Sequence, residues 1–170
     1  MAYTSVQDSI NIRSINSVIV YSYSIHSSGA GRPVAMDQTA AASSPVKVVV
    51  FDFDGTLAAD HVTAWVDRAS MADRGFGGAA RVAMLDDMLG SLVEAGAVLA
   101  VCSLNITDVI RSALMTVNLL HHFGPAPIIC DHYDVEDRGG HTKSGVIRDI
   151  ILPAVAARQQ CDAHPPARIL

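Results

Sequence analysis

Residues 46–57 have the sequence Val-Lys-Val-Val-Val-Phe-Asp-Phe-Asp-Gly-Thr-Leu, and they are the main basis for the predicted fold. Its β-branched, apolar start is typical of a strand buried on both faces of a parallel sheet. The strand ends at two carboxylates, Asp52 and Asp54, separated by one residue. Such carboxylates repel each other and are costly to bury, so this position favours a bound cation. Gly55 gives the backbone the freedom to turn there.

Strands and helices alternate after this first strand. The apolar spacing predicts helices over 81–95 and from Thr107 onward, and a third over 143–152 that Pro153 stops, with strands over 97–102 and 127–130. This alternation predicts an α/β fold, a three-layer doubly wound parallel sheet with helices on both faces. In such sheets the site lies at the carboxyl ends of the strands, where Asp52 and Ser103 follow the first two.

The first 45 residues differ from the rest in composition. They are rich in Ser, Thr, Ala and Asn and carry few charges, which predicts a disordered or poorly ordered extension over 1–45 before a folded domain over 46–170. Met36 lies near the start of that domain, and a protein beginning there would lack the extension. The serine-rich segment gives only a weak organelle-targeting signal, so the expected compartment is the cytoplasm.

Composition excludes several classes of protein. Apolar residues are 50% of the 170-residue chain and the formal net charge is −5, with no basic block like a nucleic-acid footprint. No apolar run approaches the roughly 18 residues that a transmembrane helix needs, so no membrane partner is expected. Three cysteines without close pairs argue against a disulfide framework.

The whole stretch 46–57 resembles the first motif of the haloacid-dehalogenase-like superfamily, whose members are mostly phosphatases, and the resemblance runs from about Val46 to the C-terminus. It implies that Asp52 is a nucleophile that forms an aspartyl-phosphate and that Asp54 is the general acid and base. It also implies a Mg²⁺ cofactor held by the Asp52 carboxylate and by the backbone carbonyl of Asp54. The family's dehalogenases lack an acid at the second position and its transport ATPases carry Thr, so Asp54 favours phosphatases and phosphomutases.

Two further motifs of that family have counterparts here. Ser103 ends the second predicted strand, and the resemblance implies that its hydroxyl and a following N–H bind the phosphoryl oxygens. Lys143 begins a predicted helix and by the same resemblance neutralises the nucleophile and the phosphoryl group. Arg148 is a less suitable substitute because it lies inside that helix. Arg138, which precedes the double glycine, is another cation that could approach the site.

The fourth motif of the family, an acidic pair after the next strand, has no counterpart. A fourth strand is predicted to begin at Arg168 and the chain ends at Leu170, so the core is expected to be incomplete at its C-terminus. Three functions follow as expectations: a Mg²⁺-dependent phosphohydrolase whose natural chain is longer, a catalytically dead phosphate-binding module, and a phosphomutase or other phosphotransferase.

The segments between the motifs are too short for a cap domain. The core is therefore expected to be capless, with an open site for a small or macromolecular phosphorylated substrate. The sequence leaves the oligomeric state open. His121 and His122 are expected to end the second helix, and the spacing of the potential zinc ligands, which are His121, His122, Cys130, His132 and His141, matches no compact zinc pattern.

Overall fold

A five-stranded sheet organises the computed structural model, which describes residues 11–15, 18–23, 46–63, 70–138, 140 and 142–163. Neighbouring strands of the sheet follow chain order, β1-β2-β3-β4-β5. The strands are β1 Asn11–Ile15, β2 Val18–Tyr23, β3 Val46–Phe51, β4 Ala97–Cys102 and β5 Ile128–Cys130. Strands β3, β4 and β5 are parallel, whereas β1 and β2 are antiparallel to their neighbours.

The parallel part confirms the α/β prediction, and its register aligns the ends of the strands. Phe51 pairs with Val101, and Cys102 pairs with Cys130. The residues that follow these positions therefore emerge next to one another at the carboxyl edge.

Helices cover both faces of the parallel part of the sheet, and the strand side chains alternate between these two faces. Val49 and Phe51 belong to one buried cluster, which α1 Ala79–Glu94 and α2 Thr107–Thr116 complete. Val48 and Val50 belong to the other, which includes residues of the helical segment that begins at Lys143. The parallel sheet is thus enclosed between two apolar layers.

That last helical segment is longer than the sequence predicts. It comprises α3 Lys143–Val146, a wide π-type turn over Ile147–Ile151 and α4 Leu152–Ala163, so the prediction that Pro153 stops the helix is wrong. Leu152 keeps helical angles, φ −60° and ψ −44°. A wide turn before proline accommodates both its missing N–H and its ring, which explains how the helix continues.

The second helix is shorter than expected. It ends at Thr116, and His121 and His122 lie in a separate 3₁₀ turn, Leu120–Phe123. The expectation that these histidines end α2 is therefore wrong. Asn118, at φ 59°, turns the chain between the two elements.

The N-terminal region also differs from expectation at two segments. The strands β1 and β2 form a hairpin that extends the sheet on the outer side of β3, where the sequence predicts disorder. The rest of 1–45, and the strand expected at Arg168, lie outside the described residues. In the described part of the chain, helices are too short or too polar to cross a membrane.

Candidate active site

The candidate catalytic residues lie at the edge where the parallel strands end. Asp52 directly follows β3, Ser103 directly follows β4, and Asp131 directly follows β5. Because these strands are parallel neighbours, their carboxyl ends lie side by side. This edge is the position that the sequence predicts for a ligand.

The Asp52 carboxylate contacts Lys143 directly. Asp52 Oδ2 lies 2.7 Å from Lys143 Nζ, and Asp52 Oδ1 accepts a hydrogen bond of 2.8 Å from the backbone N–H of Phe53. Asp52 keeps 27% of its side-chain surface exposed, and Lys143 keeps 34%. Solvent screens such a pair, so its contribution to stability is about 1 kcal/mol or less. Its importance is that it holds a carboxylate and an ammonium together where a ligand can reach them.

Local structure brings Lys143 to this position. The Thr142 hydroxyl oxygen accepts a hydrogen bond of 3.1 Å from the backbone N–H of Gly145 and caps the start of α3. Val146 and Ile147 are buried against the sheet and hold the helix in place. As predicted, Lys143 is the first residue of a helix.

Asp54 is held by several hydrogen bonds. Its Oδ1 accepts from the backbone N–H of Val62 at 3.0 Å, and its two oxygens lie 3.2 and 3.0 Å from Asn105 Nδ2. His61 Nδ1 lies 3.1 Å from Asp54 Oδ2. Gly55, at φ 70°, makes the turn that lets the chain come back to this carboxylate.

Ser103 is buried and connected to the same network. Its backbone N–H donates to the Cys130 carbonyl at 3.0 Å, and its Oγ accepts a hydrogen bond of 3.1 Å from the backbone N–H of Asn105. A hydroxyl has one proton to donate in addition to its acceptor sites. The Ser103 hydroxyl therefore keeps a proton for a further acceptor while Asn105 fixes its oxygen.

The thiol next to Ser103 lies within range of the charges at this site. Burial raises the pKa of Cys102 to about 11, while Lys143 lowers that pKa and Asp52 raises it. Both charges are therefore near the end of β4. Cys102 is a free, buried thiol.

Arg81 secures the segment that carries the two aspartates. Its guanidinium donates to the carbonyl oxygens of Thr56 at 2.6 Å, Leu57 at 2.8 Å and Phe76 at 3.1 Å. A planar guanidinium with five donors suits this cluster of carbonyls. Arg81 thereby attaches the turn after Asp54 to α1.

Asp131, at the end of β5, performs a structural task. Its Oδ2 accepts from the Thr107 hydroxyl at 2.9 Å and its Oδ1 from the backbone N–H of Tyr133 at 3.0 Å. Partial burial raises the pKa of Asp131, but bonds from Thr107 and from the backbone N–H groups of Asp134 and Tyr133 outweigh burial and lower that pKa below its ordinary value. This carboxylate is occupied in joining β5 to α2.

The oxygen donors at the edge fit a hard divalent cation in type. Mg²⁺ prefers carboxylate and carbonyl oxygens and keeps several waters. Asp52 offers a partly exposed carboxylate of this kind, whereas both oxygens of the Asp54 carboxylate are occupied by Asn105, Val62 and His61.

Of the four predicted site residues, Asp52 and Lys143 are in direct contact, and Asp54 and Ser103 are joined through Asn105. Sequence reasoning missed Asn105 and His61. Asn105 follows β4 at the same sheet edge, which is a usable signal. The contact of His61 depends on the course of the turn after Gly55, which no periodicity indicates.

Comparisons of this chain with protein-family models, with curated proteins and with solved structures gave no match. Function is therefore inferred from the residues and their geometry.

Proposed function

We propose that this chain is a capless, Mg²⁺-dependent phosphohydrolase with a three-layer fold of the haloacid-dehalogenase-like type, in which Asp52 attacks a phosphomonoester. The observation that carries the proposal is the contact of 2.7 Å between Asp52 and Lys143 at the carboxyl edge of a parallel sheet. Asp54 and Ser103 stand at the same edge, in the order that the sequence resemblance implies.

Asp52 is suited to nucleophilic attack. One of its oxygens is fixed by the backbone N–H of Phe53, which orients the carboxylate. Attack on phosphorus forms an aspartyl-phosphate and releases the alcohol, and hydrolysis of that intermediate restores the carboxylate. Two displacements thus replace one difficult hydrolysis.

Lys143 balances charge during both displacements. An anionic nucleophile and an anionic phosphate repel each other, and a neighbouring ammonium reduces that repulsion. When bound, Mg²⁺, held by the Asp52 carboxylate and the Asp54 carbonyl, supplies further electrostatic screening of the phosphoryl group. The Ser103 hydroxyl donates to a phosphoryl oxygen.

Asp54 moves the protons. As an acid it protonates the leaving oxygen, and as a base it removes a proton from the attacking water. Asn105 fixes the orientation of its carboxylate. His61 is 69% exposed, so it can leave Asp54 Oδ2 when substrate arrives.

The test is Mg²⁺-dependent release of phosphate from p-nitrophenyl phosphate by the full chain. Asp52→Asn removes the nucleophile and should lower kcat at least about 1,000-fold, a loss of roughly 4 kcal/mol of transition-state stabilisation. Asp87→Asn, an exposed position on α1, is the matched control and should turn over normally. Full turnover by the Asp52→Asn variant would show that Asp52 is not the nucleophile.

A phosphate-binding module without turnover is the second candidate. The observation in its favour is that both oxygens of the Asp54 carboxylate already have partners, as a purely structural aspartate would. Such a module would bind inorganic phosphate through Lys143 and Ser103 and release none from the ester. Measuring phosphate binding by calorimetry beside the turnover assay separates the two functions.

A further inference from the structure

A second group of metal-ligating side chains lies on the face of the sheet covered by α1. Asp86 of α1 and the adjacent His121 and His122 of the turn Leu120–Phe123 place their ligand atoms within 4.8 Å of one another. His122 Nε2 lies 2.6 Å from Asp86 Oδ1. The imidazole rings of His121 and His122 are 3.8 Å apart between centroids.

Helix α1 and the turn Leu120–Phe123, which carry these three residues, are both anchored in the apolar core. Leu85 and Leu89 are buried and set the rotation of α1, which leaves Asp86 at the helix surface. Phe123 is also buried, and its ring packs edge-on against Phe51 with centroids 6.5 Å apart. The helix and the turn therefore hold their relative positions without help from a ligand.

One of the imidazoles packs beside a glycine of α1. Gly90 lies one helical turn after Asp86 on α1, and a Cβ added there would stand 3.6 Å from His122 Cε1. The His122 side chain is only 11% exposed, whereas Asp86 is 50% exposed and His121 is exposed. The site is therefore seated against the helix on one side and open to solvent on the other.

We propose that Asp86, His121 and His122 form a binding site for a transition-metal ion of the zinc class, with water as a fourth ligand. Two imidazoles and a carboxylate suit Zn²⁺ and its divalent neighbours, whereas Mg²⁺ prefers oxygen donors alone. Ligand atoms around tetrahedral Zn²⁺ stand about 3.3 Å apart, given bonds of about 2.0–2.1 Å. Rotation of the exposed His121 side chain closes the remaining gap. The ion takes the place of the hydrogen bond between His122 Nε2 and Asp86 Oδ1, and the neutral His122 ring then carries its proton on Nδ1.

This site is separate from the candidate active site. The turn Leu120–Phe123 leads into the beginning of β5, whereas Asp52 and Ser103 follow the ends of their strands. Asp86 lines one shallow cleft and His121 lines another, and Asn118 borders both. A metal bound here would link α1 to the connection before β5 and stabilise the fold by mass action.

The experiment is a Zn²⁺ titration of the metal-free full chain in competition with a chromophoric chelator. Wild-type protein should bind one Zn²⁺, and Asp86→Asn and His121→Ala should each weaken binding at least about tenfold. Asp87→Asn changes the neighbouring carboxylate of the same helix and should bind as the wild type does. The midpoint of thermal unfolding should rise with Zn²⁺ in wild type and Asp87→Asn only.

Co²⁺ gives a second, spectroscopic measurement. In wild type it should produce the visible absorption of a four-coordinate nitrogen and oxygen site, and Asp86→Asn should lose it. His121 is exposed, so His121→Ala should unfold at the wild-type midpoint without metal, and if it fails to fold, Asp86→Asn decides. Zn²⁺ binding that is equal in wild type and Asp86→Asn, or no binding by wild type at micromolar Zn²⁺, overturns the proposal.

Discussion

At the scale of single residues, Asn105 joins Asp54 to Ser103 in the candidate active site. Its Nδ2 donates to the Asp54 carboxylate and, at 2.7 Å, to the Val62 carbonyl, while its backbone N–H donates to Ser103 Oγ. It is buried, with 7% of its surface exposed. Its side-chain oxygen accepts from the backbone N–H of Ile106 at 2.7 Å. The side-chain amide and the backbone N–H of Asn105 are therefore all used to position other groups.

Replacing Asn105 with Ala should reduce turnover more than substrate binding. Asp54 would lose its orienting donor, so we expect kcat to fall about 10–100-fold with little change in KM, a loss of roughly 1.4–2.7 kcal/mol. The unpaired Val62 carbonyl should also lower the free energy of unfolding by about 1–3 kcal/mol. Steady-state kinetics and urea unfolding measure the two effects. The control is Leu104→Ala at the exposed neighbour, and an unchanged kcat in Asn105→Ala would contradict a positioning role.

The sequence predicts the residues that follow strands directly and misses those that depend on the path of a loop. Asp52 and Ser103 stand at the ends of apolar runs, so alternation and strand length locate them. His61 reaches Asp54 only because Gly55 turns the chain, and Asp86 meets His122 across 36 residues. The contacts of His61 with Asp54 and of Asp86 with His122 depend on how the folded chain packs, and a single sequence does not show this.

At the scale of elements, the start of α2 is stabilised from the neighbouring strand. Ile106 precedes α2 and makes no side-chain capping bond. Asp131, just after β5, accepts from the backbone N–H of Thr107 at 3.4 Å and from its hydroxyl at 2.9 Å. An acidic group near the first turn also suits the helix dipole. Thr107 is the first helical residue, and the carboxylate of Asp131 provides the cap.

Removing this carboxylate should destabilise the fold in a pH-dependent way. Asp131→Ala should lower the free energy of unfolding at neutral pH by about 1–3 kcal/mol, the usual range for a lost cap and a charged hydrogen bond. The pKa of Asp131 is lowered in the folded state from 3.8. The ionised Asp131 carboxylate therefore stabilises the folded state above pH 3.8, and this stabilisation is lost as the pH falls through the lowered pKa. Urea unfolding from neutral to acidic pH measures this.

Two variants define the test. The difference in unfolding free energy between wild type and Asp131→Asn should shrink as the pH falls below 3.8, since Asn has no charge to lose. Asp137→Asn, at an exposed position of the same turn, should show no such difference. A difference that stays constant or grows on acidification would show that the Asp131 carboxylate does not stabilise the folded state.

The boundaries of helices and strands are predicted correctly where local sequence sets them and wrongly where tertiary packing sets them. The strands at 46–51 and 97–102 have the predicted bounds because continuous apolar runs end at polar residues. The prediction failed at Pro153, because burial of Ile147, Ile151 and Val155 keeps the helix against the sheet. Tertiary packing there outweighs the local preference of proline to end a helix.

At the scale of the whole molecule, β1 and β2 extend the sheet, although the sequence does not predict these two strands. Serine and asparagine interrupt the apolar pattern of residues 11–23, so their strands are weak in the sequence. β3 nevertheless pairs with β4 on one side and with β2 on the other, over Val18↔Phe51 to Tyr23↔Val46. A central apolar strand with an open edge is prone to pair with other chains. The hairpin β1–β2 covers that edge of β3.

A chain that begins at Met36 should therefore be less stable and should self-associate. It lacks β1 and β2, so the backbone of β3 loses its partners on one side. We expect its free energy of unfolding to be about 2–4 kcal/mol lower, allowing for the entropy of ordering the hairpin. Urea unfolding and sedimentation velocity, compared with the full chain, measure stability and association.

Val20→Pro in the full chain is the matched variant, because it removes one N–H from β2 opposite Val49 and should have an intermediate effect. A monomeric Met36 chain with the unfolding midpoint of the full chain would mean that the hairpin does not protect β3.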